Sequence, residues 1–222
     1  MRKNDQSWTD VVNWVLRFLI RAEMANLTQT QSMVDGLSSF DKIIENDIDF
    51  ISALRAAGNY GEIYSRSMER FVPRTALNLL HSFSDQNRTG LHYTPPMGSI
   101  DYYRHTFALD GKINAILNRG KLICGVIGDK HKSMEADYCR ALSASLFPEG
   151  NEVDIRKLSD EESEVSMMDE LDGGELDVIA GASLRYSSDI IASNKSVSGG
   201  LAFSQPYFYG EINHDSSQYG YK

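Results

Sequence analysis

From residue 121 onward the chain alternates short apolar runs with helix-length segments, and this limits its fold more than any other feature. Arg119-Gly120 reads as the end of a helix, with Gly120 as its C-cap. Lys121-Leu122-Ile123-Cys124-Gly125-Val126 opens a strand over 121–127. The spacing of Ala136, Cys139, Leu142 and Leu146 predicts a helix over 133–147 with those side chains inward. A second strand follows over 153–158. Ser159-Asp160-Glu161-Glu162 forms a capping box for a helix ending near Gly173-Gly174, and a third strand covers 176–180. A βαβαβ run implies a parallel sheet with right-handed crossovers. The fold class expected is therefore α/β.

The first half reads as helices. Ser7-Trp8-Thr9-Asp10 is a helix start with Ser7 as the capping residue. Trp8, Val11, Val12, Val15, Leu19 and Ala22 then form one buried stripe. A short second helix is expected over 30–37. A longer one over 49–68 contains Gly58-Asn59-Tyr60-Gly61-Glu62-Ile63. Two glycines inside a helix cost about 1 kcal/mol each, so the sequence implies another backbone packed closely against them. A phosphate loop is disfavoured, because no strand precedes these glycines and no Lys-Ser/Thr follows. Pro73-Arg74-Thr75-Ala76-Leu77-Asn78 opens a further short helix, and Gly90-Leu91-His92-Tyr93-Thr94-Pro95-Pro96 is extended. After a linker over 98–109, Asp110 can cap the helix that ends at Arg119.

Composition narrows the function. A net charge of −9 disfavours nucleic acid as a partner. The acidic tract over 160–175 reads as a solvated helix face. The most apolar long segment, 8–25, carries Asp10, Asn13, Arg17, Arg21 and Glu23, which argue against a transmembrane span and against a signal peptide. The five histidines, at 81, 92, 105, 131 and 214, lack metal-ligand spacing, and no Gly-x-Ser-x-Gly elbow occurs. Glu135 and Asp137 read as solvent-facing helix residues, not as a paired acid and base. The reading is of a protein that is not an enzyme and needs no metal or cofactor. Cys124 and Cys139 are either a disulfide or two thiols facing each other between strand and helix.

Trp8 through Glu23, Gly58-Asn59-Tyr60-Gly61-Glu62-Ile63 and Gly90-Leu91-His92-Tyr93-Thr94-Pro95-Pro96, in that order, resemble the C-terminal region of periplasmic general L-amino-acid-binding proteins, the solute receptors of ABC importers. The segment from the opening strand through Gly174-Glu175-Leu176-Asp177-Val178 resembles the N-terminal lobe of the same family. Phe203-Ser204-Gln205-Pro206-Tyr207-Phe208-Tyr209-Gly210 is similar to the stretch leading towards its hinge. The resemblance implies a single lobe of a type II periplasmic binding protein fold, with a parallel-rich sheet and extra N-terminal helices. Its order is circularly permuted and its second lobe is absent. Residues 1–97 stand for the family's C-terminal region and 110–222 for its first lobe, and the two pack as one domain. The family's returning strand has no counterpart ahead of Ser7, so one sheet edge is expected to be open. The resemblance also implies a periplasmic location, and the family often carries cysteines at positions 124 and 139.

A free amino acid needs a cation for its carboxylate and, in this family, an arginine after the third strand supplies it. The matching stretch is Gly181-Ala182-Ser183-Leu184-Arg185-Tyr186-Ser187-Ser188-Asp189, in which Ser188 stands where the arginine should precede Asp189. Ser183, Arg185, Ser187, Ser188 and Asp189 are the candidate ligand residues, with Arg185 as the substitute cation. The loop over 127–133 is also shorter than the family's. The expectation is a non-catalytic accessory subunit that meets a protein partner through its open sheet edge or C-terminal tail. Tyrosines at 102, 103, 207, 209, 219 and 221 are candidates for such an aromatic surface. The alternative is a reduced amino-acid-binding module completed by another chain.

Overall fold

The computed structural model describes residues 1, 5–30, 48–74, 76–81, 90–92, 111–127, 131–150, 153–158, 164–182 and 201–209. The expected linker over 98–109, most of the short helix over 30–37, and all five candidate ligand residues lie outside these.

Helix α1 runs Gln6–Met24. Its N-cap is Asp5, not Ser7: the Asp5 carboxylate accepts the Trp8 N–H at 3.0 Å. The predicted stripe is buried except for Val12, which is half-buried. Trp14, Leu16, Phe18 and Ile20 are buried as well. Material packs on more than one side of this helix, so its apolar face is wider than a surface stripe.

The expected long helix over 49–68 is two helices, α2 (Phe50–Ala57) and α3 (Tyr60–Ser67). The break is at Gly58, whose φ of 83° lies where a side chain would be strained. Asn59 then caps α3, accepting the Glu62 N–H at 2.9 Å, while the Glu62 carboxylate accepts the Asn59 N–H at 2.9 Å. The glycines are not kept small by a second backbone. A Cβ on Gly61 would come within 2.9 Å of the Glu23 side chain, and one on Gly58 within 2.9 Å of Glu62. A 3-10 turn, Ala76–Asn78, follows, and Leu80 bridges His92 in parallel.

Helix α4 (Lys112–Arg119) ends on Gly120 in the left-handed region, as the sequence indicates. Its N-cap is Gly111, not Asp110, and the cap acceptor arrives from far away in sequence. The second oxygen of Asp5 takes the Lys112 N–H at 2.8 Å, so one carboxylate serves the starts of both α1 and α4.

Strand β1 (Leu122–Val126) is followed by helix α5 (Met134–Leu146), strand β2 (Val153–Lys157), helix α6 (Glu164–Gly173) and strand β3 (Val178–Ala180). The sheet is parallel in the order β2-β1-β3, with Cys124 opposite Ile155 on one side and Val178 on the other. The architecture is α/β, a parallel sheet flanked by helices, compatible with one lobe of a periplasmic binding protein. All of β1 is buried, which is why it reads as a continuous apolar run. Leu122, Cys124 and Val126 face the larger core, with α1–α5 against them. Ile123 faces the smaller one, with Leu158, Leu171 and Leu176. The larger core takes Trp8, Phe18, Leu54 and Tyr64 from the first half of the chain together with Ile116, Leu122 and Leu142 from the second. Of the acidic tract, Asp169 and Glu175 are exposed. Cys124 and Cys139 are joined as a disulfide, Cα atoms 6.1 Å apart, tying the central strand to α5.

Candidate functional site

In an open parallel sheet a ligand crevice forms where successive connections leave in opposite directions. Here β1 crosses by α5 to β2, and β2 crosses back by α6 to β3 on the other side. The switch point therefore lies between the C-terminal ends of β1 and β3. Its floor is Ile127, whose N–H donates to the Ala180 carbonyl at 3.2 Å, and Gly181. Gly181 has φ 96°, and a Cβ there would stand 3.2 Å from both Ile127 Cβ and Glu135 Cγ. Glycine is required on conformational and steric grounds together.

The start of α5 forms one wall. Ser133 caps it by accepting the Ala136 N–H at 3.2 Å, and Glu135 lies in the first turn, where a carboxylate is favoured. Glu135 does not simply face water. Its carboxylate and the Gly181 backbone both lie close enough to the Tyr207 hydroxyl to act on its proton affinity. Burial, reinforced by the Glu135 charge, pushes the Tyr207 hydroxyl well above its ordinary range, so it keeps its proton. Asp137 is also buried, 7 % exposed, against expectation. It pairs with Arg66 at 2.7 Å and with Arg140 at 2.7 Å, which is how a carboxylate is accommodated there.

Behind Tyr207 lies a chain of aromatic and polar groups. The Tyr138 and Tyr207 rings are 4.7 Å apart, and the Tyr138 hydroxyl is fully buried without a hydrogen-bond partner. Tyr60 donates to the Tyr207 carbonyl at 3.0 Å and contacts His92 Nε2 at 2.8 Å. With its one proton given to that carbonyl, Tyr60 must accept from an Nε2–H of His92, which assigns the tautomer. Arg74 lies over the Tyr60 ring, 4.9 Å from its centroid, and forks onto both oxygens of Glu23 at 2.6 and 2.9 Å. Burial, with Arg74 adding to it, lowers His92 from 6.5 to about 4. Tyr207 and Tyr209, expected on an aromatic surface, are thus half-buried and engaged internally. No periodic signal marks this role, since 201–209 adopts neither helix nor strand. Exposed large apolar side chains do occur elsewhere, at Phe71, Val72, Leu91 and Phe203.

Among the described residues no group of three or more His, Cys, Asp or Glu is placed to hold a metal ion, and no helix is long and apolar enough to cross a membrane.

No family model matches the chain, and no solved structure matches it. Among curated proteins it is similar to the general L-amino acid-binding periplasmic protein AapJ of Rhizobium johnstonii, 28% identical over 115 residues. The match takes in 44% of this chain and 33% of the relative, so the chain spans about a third of the length of the curated relative it matches. By its name that relative is a binding protein and is periplasmic. The likeness and the parallel sheet are both compatible with one lobe of a periplasmic binding protein fold.

Proposed function

We propose that this chain is a non-catalytic accessory lobe, derived from an amino-acid-binding protein, that acts through contacts with another protein in a larger assembly. The observation that carries this reading is the occupation of the switch-point crevice by the chain's own Tyr207. Its hydroxyl lies beside the Gly181 backbone and the Glu135 carboxylate, the polar groups described at that floor. A ligand would have to displace the Tyr207 side chain to reach either. The exposed apolar side chains of Phe71, Leu91 and Phe203 supply surface of the kind a protein partner covers. On this reading residues 1–97 and 110–222 form one domain in permuted order, and the protein is periplasmic.

The likeness to a general L-amino acid-binding protein favours a second reading. In it the chain is a reduced amino-acid-binding module of an ABC-type uptake system, with Ser183, Arg185, Ser187, Ser188 and Asp189 as ligand residues and a partner chain supplying the other lobe. A thermal-shift panel of the common amino acids separates the two. Ligand at a hundred times its Kd adds about 2.7 kcal/mol, enough to move the midpoint by several degrees. A flat panel is expected. A shift with one amino acid that Arg185→Ala abolishes would overturn the accessory reading.

A further inference from the structure

Residues 203–209 cross α1, α3, the Ala76–Asn78 turn and α5 without joining any of them as secondary structure. Their main chain is fastened by side chains from elsewhere. The Gln205 N–H donates to Asn13 Oδ1 at 2.9 Å, and the Tyr207 carbonyl accepts from Tyr60. Asn78 takes the Tyr209 N–H and donates to the Tyr209 carbonyl, both at 2.8 Å. No residue of 201–209 is fully buried. A segment held by a few directional bonds and half-buried rings opens at far lower cost than the core beneath it.

His92 sits where those fastenings converge. It is 2 % exposed, donates to the Tyr60 hydroxyl that holds Tyr207, and packs its ring 5.1 Å from that of Tyr209. The groups that face it are Tyr60 from α3, Tyr209 from the crossing segment, and Arg74, whose guanidinium is balanced by Glu23 of α1. Among the described residues that face it, Glu23 is the carboxylate, and Arg74 already engages both of its oxygens. Protonating His92 at Nδ1 would place an imidazolium in this aromatic box beside Arg74.

We propose that residues 203–209 are a strap closing the switch-point crevice, and that His92 is its latch, neutral when the strap is shut and protonated when it opens, so that acid loosens it. Opening lets water reach His92, withdraws the Tyr207 hydroxyl, and uncovers the Gly181 N–H and Glu135 at the crevice floor. The inference goes beyond the accessory reading and does not depend on which partner or ligand the lobe meets.

Its magnitude follows from linkage. With His92 at about 4 when shut and at the ordinary 6.5 when open, the opening equilibrium rises about 30-fold between pH 8 and pH 5. Amide hydrogen exchange on the full oxidised chain, corrected for the intrinsic pH dependence of exchange, measures this directly. The Gln205 and Tyr209 amides are expected to lose about 30-fold in protection over that range, while amides in the middle of α1 keep theirs. In His92→Gln, which keeps an N–H for Tyr60 but cannot be charged, strap protection should not depend on pH. Equal loss in the variant, or no loss in the parent, overturns the proposal. If the variant fails to fold, the ring titration of His92 in the parent chain, followed by NMR, decides. A midpoint near 4 is required, and a midpoint near 6.5 with the strap amides unchanged would refute the latch.

Discussion

Asp177 offers the sharpest test of how the two halves of the chain are joined. Its side chain is completely buried just ahead of β3. One oxygen accepts the Ile123 N–H of β1 at 2.8 Å and a guanidinium N–H of Arg119. The other stands 2.7 Å from Lys112 Nζ, close enough for an ion pair though out of line for a hydrogen bond. Its carbonyl accepts the Trp8 indole N–H at 3.0 Å, so α1, α4, β1 and β3 meet at one residue. Removing one partner of a buried charge cluster costs about 3–5 kcal/mol when the remaining charges are trapped. Arg119 and Lys112 keep 28% and 16% of their side-chain surface in water, so they can be partly resolvated and this part shrinks to about 2 kcal/mol. Leaving the Ile123 N–H without an acceptor adds about 1–3 kcal/mol. Asp177→Ala should therefore cost about 3–5 kcal/mol. Asp177→Asn, which keeps an acceptor for Ile123, should cost about 2 kcal/mol. With a urea slope of about 2 kcal/mol per molar, the alanine midpoint falls by about 1.5–2.5 M. Fluorescence of Trp8 and Trp14 reports on α1, 150 residues and more before the mutated site in sequence, and should give the same single transition as far-UV circular dichroism. An alanine variant within 1 kcal/mol of the parent would refute the reasoning, as would asparagine costing more than alanine. Two separate transitions would refute the packing of both segments as one domain.

Two further outcomes follow from the cross-links in the core. Reducing the Cys124–Cys139 disulfide, or replacing both residues by serine, should lower stability by about 3 kcal/mol through the loop it closes, read as a shift in the denaturation midpoint; a change under 1 kcal/mol would show that the unfolded chain is not restricted by it. Stability should also fall in acid through His92. Its folded value, about 4, lies below the unfolded 6.5, so its contribution is complete above pH 6.5 and is lost as pH drops towards 4, by roughly 3 kcal/mol in all. Denaturation midpoints at pH 7 and pH 4.5 should therefore differ less in His92→Gln than in the parent, and an unchanged difference would assign the acid sensitivity to other groups.

The sheet was legible in the sequence because its signals are local. β1 is a central strand buried on both faces, and its apolar run announces that directly. Gly120 ends α4 by its own backbone preference. Expectation and structure part where a group reaches across the chain. Ser7 was a sound local cap for α1, yet Asp5 takes the position because its other oxygen also caps α4, a gain invisible at either helix alone. Asp137 looked solvent-facing until Arg66, 71 residues earlier, supplied the charge that lets it be buried. Gly58 looked like a costly helix residue, whereas the Asn59–Glu62 capping box makes a clean break there more stable. The tyrosines at 207 and 209 carry no periodicity at all, and only their neighbours in space define them. The candidate ligand residues over 183–189 rest on family resemblance and lie outside the described residues.

The same groups that hold the lobe together are those a ligand would want. The Gly181 N–H and Glu135 carboxylate are the sort of donor and acceptor pair that an amino acid's carboxylate and ammonium could engage, and the Tyr207 hydroxyl stands beside both. Tyr207 in turn is fixed through its carbonyl by Tyr60, and Tyr60 by His92. Any ligand entering at that floor must exchange its own bonds for these and release the strap. Its net affinity is then lowered by the bonds that fasten the strap, about 1 kcal/mol each. On the accessory reading, such a floor holds a small molecule only weakly by itself. It would gain affinity only from contacts outside the crevice, which a protein partner or a second lobe brings and a free amino acid does not. The accessory reading and the completed-module reading therefore share one physical requirement, a second macromolecular surface over this sheet, and differ only in whether a small ligand is trapped beneath it.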